Sequence, residues 1–319
     1  MIRYEFIDSS IRQEDIHPGN FFEKEIKLAY DFISRIGLPA VNNLCPFCKK
    51  QHEILFRKWG FNYSICPVTW TISIETTVDE KYLFDYHNQS ELSNLRASKE
   101  YQDESSIKRK DLWENLVEWI EGRVNRYLGN KKYTVIDWGS KFSGWIESIS
   151  TSSFTEKLII EKSLPPLNNN TPKSYTADII CMVDILHRID RPDELLKDIS
   201  KKIKSGGLLF ITCRSGSGFD ILTLLDHSET IYPLDHIFMP SPNGMKLLLE
   251  GAGFEIIEIT TPGLMDIKYI KHVKEKIPKN QYFLRYIFEQ DDEFILDRMQ
   301  SFLQRNNLSS HLRCLARKK

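Results

Sequence analysis

Several things are missing from this sequence, and each absence narrows what the chain can be. No run of about 18 apolar residues occurs, so no membrane-spanning helix is expected. The opening residues, MIRYEFIDSSIRQEDIHPG, lack the charged head and apolar middle of a secretory signal. A cytoplasmic location is therefore the default expectation. Charge of one sign is not in excess: 43 Lys and Arg stand against 44 Asp and Glu, for a net charge of −1. No basic stripe interleaved with aromatics is visible, so nucleic acid is not an expected partner. Six cysteines in 319 residues do not make a disulfide framework. In a reducing compartment they are thiols or metal ligands. Internal repeats and long low-complexity tracts are also lacking.

What is present is an ordinary globular composition, 41% hydrophobic and 27% charged, in a chain long enough for one large domain with an appendage or for two. Residues 20–37 carry apolar residues at helical spacing and stop at a glycine. Residues 44–87 are short, cysteine-bearing and rich in β-branched residues, and FNYSICPVTWTISIETTV reads as strand. A polar helix is expected from near Ser105 to Gly129.

From residue 133 the pattern changes. YTVIDWG, EKLIIEKS, ADIICMVDIL and LLFITCRSG read as buried strands, and FEIIEIT as a later one. PDELLKDISKKIKSGG and SPNGMKLLLEGAG read as helices with glycine near the stop. Such alternation means a mostly parallel sheet covered on both faces. Residues 268–308 are mostly helical by periodicity, and SSHLRCLARKK could supply a last strand at the sheet edge. Residues 1–100 are thus expected to form a helix plus a small β module, and 101–319 an α/β domain with a helical C-terminal insertion.

Ligands of such sheets bind where strand order reverses, at the carboxyl ends of the strands. The first strand and its turn read Asp137-Trp138-Gly139-Ser140-Lys141-Phe142-Ser143-Gly144. This resembles motif I of the class I S-adenosylmethionine-dependent methyltransferases, Asp/Glu-x-Gly-x-Gly-x-Gly. Glu161 in LIIEKS, the segment ADIICMVDILHRIDRPDELL, the turn IKSGG and the segment LLLEGAGFEIIEI are similar to later elements of that family. IYPLDHIFMPSPNGMKLLLEGAGFEIIEITTPGLMDI and FLQRNNLSSHLRCLARK resemble a bacterial group associated with sugar, glycan and natural-product modification. Many of its members carry an N-terminal zinc knuckle. The resemblance implies a Rossmann-like class I methyltransferase sheet with an antiparallel edge strand, and S-adenosylmethionine as cofactor. It implies cofactor contacts at Asp137, Gly139, Ser140, Glu161, Asp184 and His187, and a small-molecule or glycan acceptor.

The motif is degenerate. Glycines there let backbone amides approach the cofactor. Gly139 is kept, but Lys141 and Ser143 stand where the next two would be. The interval after Glu161, KSLPPLNNNTPKSYTA, has no apolar period and is too short for a helix and a strand. The usual third strand is therefore expected to be missing. Two readings stand: an enzyme, or an inactive methyltransferase-like scaffold that binds a protein partner. An open cleft beneath Gly139 favours the enzyme; one filled by Trp138, Phe142 or Trp145 favours the scaffold.

Methyl transfer often needs a base. YPLDHI offers Tyr232, Asp235 and His236, and a carboxylate beside a histidine can raise its basicity. In sugar carbon-methyltransferases a comparable segment is thought to supply the base. Asp235 need not touch His236, however, because adjacent residues point in different directions. CPFCKKQH places Cys45, Cys48 and His52 near one another, and Cys66 follows in CPVTWT. Cys-x-x-Cys presents two thiolates to one ion. A second pair would need a cysteine at Thr69, so zinc on Cys45, Cys48, Cys66 and His52 stands beside free thiols as an alternative. Cys181, Cys213 and Cys314 lie in expected strands and read as core thiols.

Overall fold

Period-2 alternation along a strand sends successive side chains to opposite faces, and here it decides how the sheet is buried. The structure, a computed structural model, describes residues 21–36, 44–45, 47–76, 78–139, 145–146, 149, 154–160 and 176–319, with backbone alone at 106–111 and 154–160.

The chain enters with helix α1 (Phe21–Arg35), then strands β1 (Ile54–Lys58), β2 (Phe61–Ile65) and β3 (Ile72–Ile74). Helices α2 (Glu80–Asn88), α3 (Glu91–Ala97) and α4 (Lys99–Leu128) follow. Each of these three helices starts at a side chain that takes up a first-turn N–H: Asp79 accepts from Lys81, Ser90 from Ser93 and Ser98 from Tyr101. The Ser98 cap starts α4 earlier than the expected Ser105. The single strand expected from Phe61 onward is broken in two by a turn at Cys66–Trp70.

The larger sheet uses β4 (Tyr133–Trp138), β5 (Phe154–Ile160), β6 (Ala177–Val183) and β7 (Ile203–Arg214). After helix α5 (Pro192–Lys202), which precedes β7, come α6 (Phe219–Leu224), β8 (Phe238–Met239), α7 (Pro242–Gly251) and β9 (Phe254–Thr260). Helices α8 (Asp266–His272), α9 (Tyr282–Gln290) and α10 (Glu293–Arg305) lead to β10 (His311–Lys318). The strand order is β5-β4-β6-β7-β10-β9. β5, β4, β6 and β7 run parallel; β10 is antiparallel to both its neighbours. The interval after Glu161, where the missing third strand was expected, lies outside the described residues.

One expectation is corrected. The last strand is not at the edge: β10 is inserted between β7 and β9, and β9 is the edge. Its own sequence explains this. Leu312, Cys314 and Ala316 pack into the core on one face, with Ile180, Met182, Leu196 and Leu249. Leu315 packs on the other with Val135, Ile179, Phe210 and Ile120 of α4. A strand apolar on both faces belongs inside a sheet. Cys181, Cys213 and Cys314 are free and buried there. Among the described residues no helix is long and apolar enough to cross a membrane.

A second, antiparallel sheet has the order β1-β2-β3-β8. Its last strand comes from the far side of the chain, with Ile72 opposite Met239. A shared core follows, in which Ala29, Phe61 and Leu83 meet Ile231, Leu234 and Ile237. The turn after β7 crosses this junction at Gly216, where a Cβ would lie 2.4 Å from the Met239 carbonyl oxygen and 2.8 Å from the Ile72 nitrogen. Gly216→Ala is expected to destabilise the protein by about 2–3 kcal/mol in urea unfolding. Gly122→Ala in α4, where nothing lies within 4 Å, should instead stabilise it by about 0.5–1 kcal/mol.

Candidate active site

The chain leaves β4 to one side for β5 and returns to the other side for β6, which makes β4 the switch point of the sheet. At its carboxyl end Asp137 is fully buried, and Gly139 turns the backbone at φ 86°. A Cβ there would make only ordinary contact with Ile185, at 3.5 Å. Glycine is favoured by the backbone conformation rather than by lack of space. At the end of β6, Asp184 also takes a left-handed conformation, φ 54°. It is held from β7: the Thr212 hydroxyl donates to Asp184 Oδ1 at 3.0 Å, and the Asp184 N–H donates to Thr212 Oγ1 at 3.1 Å. A strained aspartate at a strand end is common where a ligand is held.

A cavity of about 440 Å³ opens beyond these strand ends. Gly139, Asp184 and Thr212 line it from the sheet, and Tyr86, Arg96 and Trp113 from the helices. Tyr232, Asp235 and His236 line it from the loop before β8. Trp138 and Trp145 do not reach it; each is buried in a core cluster, one on either face of the sheet.

Asp235 anchors the cavity wall. Arg96 grips it with both terminal nitrogens, at 3.1 and 3.0 Å, and the Tyr86 hydroxyl donates to Oδ2 at 2.9 Å. Arg188 approaches Oδ1 at 3.4 Å. On its other edge Arg96 meets Glu25 of α1 at 2.8 Å. Burial alone would raise the Asp235 carboxyl; Arg96, then Arg188, outweigh it and hold the group well below the usual carboxylate range.

The Asp235 side chain thus goes to the arginines, and His236 takes other partners. Nδ1 of His236 accepts the Tyr232 N–H at 3.1 Å. Its ring stacks on His187 with centroids 5.0 Å apart and 10° between planes. Nδ1 of His187 lies 3.4 Å from the Arg214 N–H. Burial pushes His236 down to about 3, and pushes His187 well below its ordinary value with the neighbouring His236 adding to the effect. Both rings are neutral at pH 7. Tyr232 stacks on Trp59 at 5.8 Å. Arg96, Tyr86 and Glu25 carried no local sequence signal, since they sit 139, 149 and 210 positions from Asp235. Arg188 stood beside the noted His187 and could have been read with it. Ser140, Lys141, Phe142, Ser143 and Glu161 lie outside the described residues.

The four expected metal ligands do come together. One donor atom from each of Cys45, Cys48, His52 and Cys66 lies within 4.8 Å of all the others. The same turn occurs twice. The Cys45 N–H donates to the Lys50 carbonyl and the Lys49 N–H to the Cys45 carbonyl; Cys66, Thr71 and Trp70 repeat the pattern. Lys49 and Trp70, at matching places, both have positive φ, 56° and 62°. Thr69 occupies the position matching Cys48, and His52 completes the set, 3.1 Å from the Cys48 sulfur. Burial pushes the Cys45 thiol up to about 12. Burial opposes ionisation of Cys66 too, but hydrogen bonds around Thr69 lower it overall. A Cys3His set this close fits a tetrahedral cation.

A mostly parallel sheet with one antiparallel strand, and a crevice at the switch point, make a Rossmann-like α/β fold. A methyltransferase-domain family profile matches residues 49–259, well over half of the chain, and the chain belongs to that family. Among curated proteins none matches the sequence. Solved structures with related folds include one described as a sarcosine dimethylglycine methyltransferase of Galdieria sulphuraria (11% identity, 74% of this chain and 89% of that one, TM-score 0.41). A second is an S-adenosylmethionine-dependent methyltransferase of Mesorhizobium loti (12% identity, 65% and 100%, TM-score 0.37). A third is the O-methyltransferase of a trans-AT PKS multienzyme of Brevibacillus brevis, in complex with S-adenosyl-L-homocysteine (12% identity, 68% and 76%, TM-score 0.37). At this level of similarity the neighbours add nothing to the family match.

The buried histidines give the protein a pH signature. Burial holds His87 and His236 down at about 3, against 6.5 for a free imidazole. The unfolded chain therefore binds protons that the folded one refuses, and stability falls as pH drops from about 6.5 towards 3. By pH 5.5 each should cost about 1 kcal/mol relative to pH 7.5. Urea unfolding at the two pH values checks this; equal stability at both would contradict the assignment.

Proposed function

We propose that this chain is an S-adenosylmethionine-dependent methyltransferase acting on a small-molecule acceptor, of which a sugar or glycan precursor is the class the sequence resemblance favours. One observation carries the proposal. The cavity lies at the carboxyl ends of β4 and β6, reaches Gly139, and is left open by Trp138 and Trp145. A cleft filled by Trp138, Phe142 or Trp145 would have favoured the scaffold reading, and of these Phe142 lies outside the described residues.

The residues present fit the cofactor. Gly139 keeps backbone close to the crevice, and Asp184 offers a carboxylate at the end of β6. Ser140 and Glu161 belong to the proposal through the sequence resemblance. When bound, the cofactor supplies an electrophilic methyl group on a sulfonium. The chain's own contribution is to orient the acceptor and exclude water. Tyr232 and His236 form the acceptor side, and Asp235 acts on it through the arginines it holds. The acceptor's proton does not pass readily to His236, whose Nδ1 lone pair is already engaged by the Tyr232 N–H.

A structural zinc ion on Cys45, Cys48, His52 and Cys66 is part of the same proposal, supported by the closeness of the four donors. With all four positions filled by protein, such a site holds the fold rather than performing chemistry.

Two measurements test these readings. Calorimetric titration with S-adenosylhomocysteine is expected to show binding that Gly139→Val weakens at least about tenfold, equivalent to about 1.4 kcal/mol. No binding would return the chain to the scaffold reading. Elemental analysis should find about one zinc per chain, with Cys66→Ser losing it and chelation lowering the melting temperature. Purified protein free of metal and unaffected by added zinc would leave the cysteines as plain thiols.

A further inference from the structure

Arg188 lines the cavity, and among the described residues its guanidinium makes no hydrogen bond. Arg96 is spent on Glu25 and Asp235, and Arg214 on Asp220, Thr230 and Ser310. Arg188 has only its 3.4 Å approach to Asp235 Oδ1, an oxygen that already accepts from Arg96. Its Nε is buried without a hydrogen-bond partner. Two guanidinium groups thus share one carboxylate, and the planar fork of the second is unfilled. Nε is the edge turned to Asp235, so the two terminal nitrogens are the donors left for an occupant of the cavity that supplies acceptors.

The stacked histidines point the same way. Both line the cavity with Arg188. Each ring accepts a backbone N–H at Nδ1, from Tyr232 and from Arg214. A neutral imidazole with Nδ1 engaged carries its proton on Nε2, and so offers a donor and no further lone pair. Arginine fork and imidazole N–H groups are all donors, and the nearest carboxylate is already saturated.

We propose that the acceptor carries an anionic oxygen group, a carboxylate or a phosphate, which Arg188 binds through its guanidinium fork with His236 and His187 donating beside it. Arg188 is then a specificity-determining residue of the acceptor side. The inference rests on the reading that this cavity receives an acceptor. It deepens that reading by excluding neutral acceptors from the best-bound class. Bidentate recognition of carboxylate and phosphate is what the guanidinium geometry suits.

The test is calorimetric titration of the full-length protein with malonate and, separately, with inorganic phosphate. The wild type, Arg188→Gln and Arg188→Lys are compared. The expected result is measurable binding of at least one anion to the wild type, weakened at least about tenfold in Arg188→Gln, with Arg188→Lys in between because it keeps charge but not the fork. Which anion binds tells the carboxylate from the phosphate class. Circular dichroism melts show whether each variant is folded. If Arg188→Gln does not fold, the Arg188→Lys comparison carries the test. Failure of both anions to bind the wild type at tens of millimolar, or binding unaffected by the variants, overturns the proposal. A parallel titration of the wild type with S-adenosylhomocysteine separates the two readings. Anion binding without cofactor binding would sink the methyltransferase proposal and with it the acceptor role of Arg188, leaving only the anion site. Cofactor binding without anion binding would keep the methyltransferase proposal and overturn this one.

Discussion

The Asp235 carboxylate is the point on which the rest of the structure turns. It is buried, and it is tolerable there only because Arg96 and Tyr86 fill both its oxygens. Breaking such a pair by removing one partner typically costs about 3–5 kcal/mol, since a buried charge is left uncompensated. Its partners come from α2 and α3, and through Arg96 from α1, while Asp235 itself sits in the loop leading to β8. One ionic cluster therefore ties the N-terminal helices to the loop before β8 and, through Arg188, to the segment that follows β6 of the large sheet. The shared antiparallel sheet and the apolar core of Ala29, Leu83 and Ile237 do the same with nonpolar contacts.

The consequence is a cavity whose walls have separate origins. The sheet supplies one half, where Gly139 and Asp184 adopt backbone conformations that only a turn or a ligand site needs. The N-terminal helices and the loop at residues 230–236 supply the other, with Arg96 and His236 facing His187, Arg188 and Arg214 from the ends of β6 and β7. The cysteine-bearing turns lie next to β2 and β3. They stand apart from the cavity lining.

Much of this was legible in the sequence, for physical reasons. Asp137 and Gly139 could be read because a strand ending in a tight turn leaves a local signature. Cys45, Cys48 and Cys66 could be read because thiolate spacing is local, and His52 fell within the same loop. The apolar residues on both faces of β10 argue against an edge, but its neighbours β7 and β9 could not be read, since the pairing partners of an inserted strand are set by tertiary packing. Nor could the Arg96–Asp235 pair: 139 residues separate its members. The proximity of Asp235 and His236 in sequence suggested a dyad, but neighbouring side chains leave a loop in different directions. The structure gives one to arginine and the other to a backbone amide.

The most direct test of the central claim is a crystal structure of the protein grown with S-adenosylhomocysteine. The account predicts difference density running along Gly139 and Asp184 into the cavity, with the space beside Arg188 and His236 left for the acceptor. Density elsewhere, or an unchanged cavity at saturating ligand, would contradict it.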